Sequence, residues 1–210
     1  MAWGSMRSLG FMLLITVLSL LAIFFVDAPA ALWIKAHLLS YAPFHDYTNN
    51  LPSHLFWVVL IGSTFSLSFY FYLRRLGERS PRRDFFLLIG VVLPMAFLAK
   101  HVLKLMFARI EVRFWLSNPE AHQAHWFQIG KRGYDAFPSG HMVVFMTVFM
   151  ALWQFYPRWR RWYLAGMSLL AVALVATNYH YVSDVIAGTY IGMLVYWAIR
   201  WAVLRERKRG

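Results

Sequence analysis

Phe137-Pro138-Ser139-Gly140-His141 opens an almost unbroken apolar run, and His180-Tyr181-Val182-Ser183-Asp184-Val185-Ile186-Ala187-Gly188 opens another. Each run reads as a helix with a histidine at or just before its first turn. Working outward, the chain holds six such runs, at about 8–26, 54–73, 84–105, 141–157, 162–180 and 184–204. Their lengths lie near the roughly 20 residues needed to cross a hydrocarbon core, the fourth being the shortest. The last three follow one another through very short connections and must be antiparallel neighbours. The 210 residues are 60% hydrophobic and 19% aromatic, with a mean hydropathy of +0.50. That is too apolar for an ordinary soluble domain. The expected fold is all-α: a polytopic membrane protein of six transmembrane helices, one domain over 1–210.

The formal net charge of +12 raises nucleic acid as a partner, but the placement of the charges argues against it. Arg7, then Arg74, Arg75, Arg79, Arg82 and Arg83, then Arg158, Arg160 and Arg161, then Arg205, Arg207, Lys208 and Arg209 occupy the short connections and ends. With six spans all of them fall on one side, and positive charge marks that side as cytoplasmic. Both termini are then inside, and 27–53, 106–140 and 181–183 face outward with both histidines. A second reading of the first run exists: Arg7, an apolar core and Asp27-Ala28-Pro29-Ala30-Ala31 resemble a cleaved signal segment. Five spans would remain, with the same sidedness. The run is longer than a typical signal core, which favours a retained anchor. Cysteine is absent, which removes disulfides and thiolate chemistry. The connection 106–140 is long, and long connections are functional or disordered. Its Phe114, Trp115, Trp126 and Phe127 fit a segment at the membrane interface, as do Trp33 and Lys35 in a second interfacial helix over 28–40.

Ionisable groups near a bilayer are costly and mark function. His180 and Asp184 stand four apart and face the same way at a helix start. The carboxylate can fix the tautomer of the imidazole and raise the nucleophilicity of its other nitrogen. His141 can protonate a leaving oxygen across a cleft. Ser139 and Gly140 precede a helix N-terminus, where backbone N–H groups receive phosphate. Lys104, Arg109 and Arg113 lie on the same side and supply positive charge; Lys100, one turn deeper, could replace Lys104. Each residue alone has a plainer account. A lone interfacial histidine is usually a satisfied surface group, Ser139 a helix cap, Asp184 a favourable first-turn acid, and the arginines headgroup contacts. Their convergence on one face is what points to a phosphoryl-transfer site. His101, His122 and His125 lack such company and read as interfacial. A zinc site of His122, His125 and His141 is conceivable, but no neighbouring residue reads as one that would orient those ligands.

These residues resemble the type 2 phosphatidic acid phosphatase superfamily of integral membrane lipid phosphatases, whose signatures are K-x6-R-P, P-S-G-H and S-R-x5-H-x3-D. Pro138-Ser139-Gly140-His141 matches the second in full, His180 and Asp184 match the end of the third, and Lys104 matches the first lysine. The resemblance covers roughly residues 100–192. It departs where Leu174 and Ala173 stand for the arginine and serine of the third signature, and Glu111 and Val112 for the Arg-Pro of the first. Arg109 matches an additional arginine seen two residues earlier in the family. Thr177-Asn178-Tyr179-His180 looks like a variant branch of the superfamily.

The resemblance implies hydrolysis of a lipid phosphate monoester or diphosphate through a phosphohistidine on His180, without metal or other cofactor. Asp184 orients His180, and His141 acts as acid and then base. Lys104, Arg109, Arg113, Ser139 and Gly140 bind the phosphoryl group. Each missing arginine removes contacts worth about 1.5–3 kcal/mol unless replaced, with Arg109, Arg113, Lys131 or Arg132 as the expected replacements. The implied partners are the lipid substrate and membrane lipids, not nucleic acid. The expected location is a bacterial inner membrane with a periplasm-facing site. The alternatives are a lipid phosphotransferase using the same histidine and a non-catalytic lipid-binding relative.

Overall fold

The computed structural model describes residues 5–39, 51–118, 120 and 126–206. All regular elements among them are helical. Helix α1 (Ser5–Leu21) continues through a π-helical turn (Ala22–Val26) into α2 (Asp27–His37). The expected break between a span ending at 26 and a separate helix over 28–40 does not occur. The π turn before Pro29 lets the helix carry on past a residue with no N–H to give. Then come α3 (Leu51–Arg75), α4 (Pro81–Phe107), the short α5 (Val112–Ser117), α6 (Gly140–Phe155), α7 (Arg160–Ala176) and α8 (Val182–Glu206).

Among the described residues, four helical stretches are long and apolar enough to cross a membrane: Gly10–His37, His54–Arg75, Pro81–Ser117 and Val182–Val203. Helices α6 and α7, of 16 and 17 residues, fall short of the roughly 20 that a straight crossing takes. The exterior is apolar: Phe24, Phe25, Ile61, Phe65 and Leu169 are each more than 60% exposed. Such a surface suits lipid and not water, as in a membrane protein.

The ends of α4 and α7 position Arg109 and His180. Ser80 caps the start of α4, its Oγ accepting from Arg83 N–H, with Pro81 at the first helical position. At the far end Ala108 takes a left-handed φ of 37° and its N–H bonds Lys104 O, which turns the chain sharply before Arg109. The fifth expected run, 162–180, ends early at Ala176. Asn178, at a left-handed φ of 49°, breaks the helix, as asparagine does at helix C-termini. Its buried amide donates to Ala31 O of α2 at 3.0 Å. His180 therefore sits in a turn between α7 and α8.

Helix α8 packs on α6, α4 and α1, while α4 packs on α3 and α6. The core joins Leu55 and Val59 of α3, Leu88, Val92 and Ala96 of α4, Val143 and Val144 of α6, and Tyr196 of α8. Helices α6 and α8 touch at Gly188 and Gly192, four residues apart on one face. A Cβ on Gly188 would stand 2.7 Å from Ser139 O, and one on Gly192 would stand 2.7 Å from Val143 O. Small residues at this spacing let helices in a bilayer approach closely. Gly192→Leu is expected to pry the two helices apart at a cost of about 1–3 kcal/mol. The melting temperature of the detergent-solubilised protein should fall by about 2–4 °C for each kcal/mol; an unchanged melt would contradict this packing.

Candidate active site

The two histidines come together at one end of the bundle. His141 is the second residue of α6. Its ring lies edge-on to Tyr179 at 5.6 Å between centroids, and Tyr179 lies edge-on to His180 at 5.1 Å. Ser139 N–H donates to Asp184 O at 3.1 Å, fastening the Ser-Gly-His turn to the first turn of α8. Ser139 is fully buried, and its Oγ has no hydrogen-bond partner among the described residues.

Gly140 stands close under two lysine side chains. A Cβ there would meet the Lys100 Cδ at 2.8 Å and the Lys104 Cε at 3.6 Å, so both lysine stems lie across the N-terminus of α6. Lys100 is buried at 5% exposure, with its ammonium 4.3 Å from the centre of the Phe97 ring. Lys104 reaches Asp135 Oδ2 at 3.4 Å. Beside Lys104 opens a cavity of about 340 Å³, bordered by His101, Lys131, Arg132, Tyr134 and Asp135. A hydrogen bond from Glu111 holds the Asp135 carboxyl down to about 2; burial opposes it and Lys104 assists.

Asp184 is fully buried and its two oxygens have different partners. Oδ1 accepts from Arg109 Nη1 at 2.5 Å. Oδ2 accepts from Tyr181 N–H at 3.1 Å and faces His180 Nδ1 at 3.6 Å. That last separation is slightly beyond hydrogen-bond length. Burial pushes the His180 imidazole below its ordinary range, with Asp184 opposing. The ring is therefore neutral near pH 7, the form that can act as a nucleophile.

Arg109 and Arg113 both have partners within the protein, Arg109 fully buried and Arg113 half-buried. Arg109 is 1% exposed. Its guanidinium lies between the rings of Trp126 and Tyr181, at 4.7 and 4.0 Å. It bonds Ser183 Oγ and Asp184 on one side and Asp27 Oδ2, at 2.7 Å, on the other. Arg113 donates to Thr177 O at 3.0 Å and lies 5.3 Å from the Tyr179 ring centre. Arg113 braces the backbone ahead of His180, and Arg109 ties together the side chains that follow it. His122 and His125 lie outside the described residues.

Sequence reasoning missed Asp27, Ser183 and Asn178. Asp27 carried a usable signal, since a carboxylate in an otherwise apolar stretch calls for a buried partner. The partner was invisible because it stands 82 residues away.

No curated protein and no solved structure matches the chain. The long apolar helices mark a helical membrane protein, with the histidine–aspartate pair at the start of α8 and two lysines across the start of α6. The chain belongs to the PAP2 superfamily: the family model matches residues 85–208, well over half of its length. The superfamily generally comprises phosphatases acting on phosphate esters, which supports an enzyme.

Proposed function

We propose that the protein is a membrane lipid phosphatase that works through a phosphohistidine on His180. The observation that carries this reading is the convergence of His141, His180 and Asp184 around Tyr179, with Lys104 against the same helix terminus. Asp184 faces Nδ1 of His180, so Nε2 is the attacking nitrogen. It forms a P–N bond as the P–O bond to the lipid, or to its remaining phosphate, breaks. His141 in its protonated form delivers the proton to the leaving oxygen. Neutral His141 then takes a proton from water as that water attacks phosphorus and the P–N bond breaks. Lys104, Ser139 Oγ and the Gly140 N–H hold the phosphoryl oxygens, where transition-state charge gathers. The arginine-rich ends support six crossings, with cytoplasmic termini and the site facing outward. α6 and α7 would then be tilted or flanked by thinned bilayer. A lipid phosphate is the favoured substrate because the site lies at a helix end of an apolar bundle.

The test is phosphate release by the purified protein from phosphatidic acid, phosphatidylglycerol phosphate, undecaprenyl diphosphate and a lipid A phosphate, with EDTA present. Release that survives EDTA, with an acid-labile phosphoenzyme trapped on His180, supports the reading. Release abolished by EDTA, or a phosphoenzyme on another residue, refutes it. Transfer to an added acceptor lipid in place of release would identify a phosphotransferase.

A further inference from the structure

Asp27 belongs to α2, outside the residues that match the family, yet it reaches the centre of the site. It is 1% exposed. Oδ1 accepts from Ser183 N–H at 3.0 Å, and Oδ2 accepts from Arg109 Nη2 and from Ser183 Oγ. Ser183 is the second residue of α8. Asp27 thus caps, from another helix, the turn that carries Asp184.

The charges give the contact a second meaning. Arg109 is shared between two buried carboxylates, Asp27 and Asp184. With all three ionised the cluster carries one net negative charge. Without Asp27, Arg109 and Asp184 would cancel, and little field would remain for the imidazole. We infer that Asp27 is a positioning residue of the phosphoryl-transfer site: it neutralises Arg109 so that the charge of Asp184 stays available to His180. The inference rests on the proposed role of His180. Besides Asp184, the charged groups that bear on His180 are Lys104 of α4 and Asp135 of the connecting segment. Neither touches Asp27.

The test is Asp27→Asn, which keeps an acceptor for the Ser183 N–H and puts an uncharged amide where Oδ2 receives Arg109. The neighbourhood of His180 becomes more positive and its imidazolium less favoured. The limb of the kcat profile that reports His180 deprotonation should therefore move to lower pH by about one unit. kcat should fall about tenfold or more, with KM changed little. A ¹⁵N-histidine NMR titration of His180 should show the same shift, and it reads the inference even if no lipid phosphate is turned over. Asp27→Asn combined with Arg109→Gln removes both charges and should return the limb toward its original position. A folded Asp27→Asn protein with the limb and the titration unmoved would overturn the inference. So would a double variant whose limb stays displaced. If Asp27→Asn does not fold, the double variant decides, and if neither folds Asp27 is only a structural acid and the inference falls. Absence of turnover in the unsubstituted protein, with the His180 titration still sensitive to Asp27, would instead count against the phosphatase reading alone.

Discussion

Substituting alanine for His180 is expected to lower phosphate release by roughly 10⁴-fold or more, with the protein still folded. The imidazole sits in a turn between α7 and α8. It is held by the backbone, through His180 N–H to Leu174 O at 3.2 Å, as much as by its ring. No helix depends on the side chain, so the loss falls on chemistry. His141→Ala should behave differently. A proton donor contributes about 10²–10⁴-fold, and its absence matters less when the leaving group is already a weak base. The deficit of His141→Ala should therefore shrink for a nitrophenyl phosphate relative to a lipid monoester, while that of His180→Ala stays the same for both. Release rates for the two substrates across the two variants form the measurement. Equal sensitivity to leaving group in both variants would remove the distinction between nucleophile and acid. Turnover unchanged in His180→Ala would end the histidine mechanism.

Arg109→Met is the second large effect, and it is one of stability. The substitution keeps much of the side-chain volume between Trp126 and Tyr181 but strips the cation from two buried carboxylates. Removing one partner of a buried ionic cluster costs about 3–5 kcal/mol, because the remaining charge stays desolvated. For a chain of this length that corresponds to a melting temperature lower by about 6–20 °C. Pairing the change with Asp27→Asn should recover part of the loss, since one of the stranded acids is gone. Melting followed by size-exclusion fluorescence in detergent reads both variants. A single variant as stable as the unsubstituted protein would mean that the acids take up protons at little cost and that the ion cluster does not hold the fold together.

The contrast between these residues shows what could be read in the sequence and why. His141, His180 and Asp184 were legible because each belongs to a local pattern, a Ser-Gly-His turn or an i, i+4 pair, whose chemistry is set by neighbours. The helices α3, α4 and α8 were legible from unbroken apolar length. Arg109 was legible only as positive charge on the right side, which is also the description of a phosphate ligand. The acid that occupies it lies in a stretch whose small residues resemble a cleavage site. A cleavage there would remove Asp27 or separate it from α2. The early end of α7 was missed as well. The apolar run gives way at Thr177-Asn178, where Asn178 takes a left-handed turn and its amide reaches Ala31 O. The sequence pattern reports local preference, and for Arg109 a partner 82 residues away decided the outcome.

Capping of α8 by a side chain from α2 makes the recognisable unit and the working unit of different lengths. A recombinant piece cut to the family-matched region would carry His141, His180 and Asp184, and would look complete by every motif. Its Arg109 would be paired with Asp184 alone. Grafting the first helices of one homologue onto the remainder of another would transplant a counter-ion along with an anchor. Chimeras of this kind should inherit their acid-side pH behaviour from the amino-terminal parent, although His141, His180 and Asp184 all come from the other.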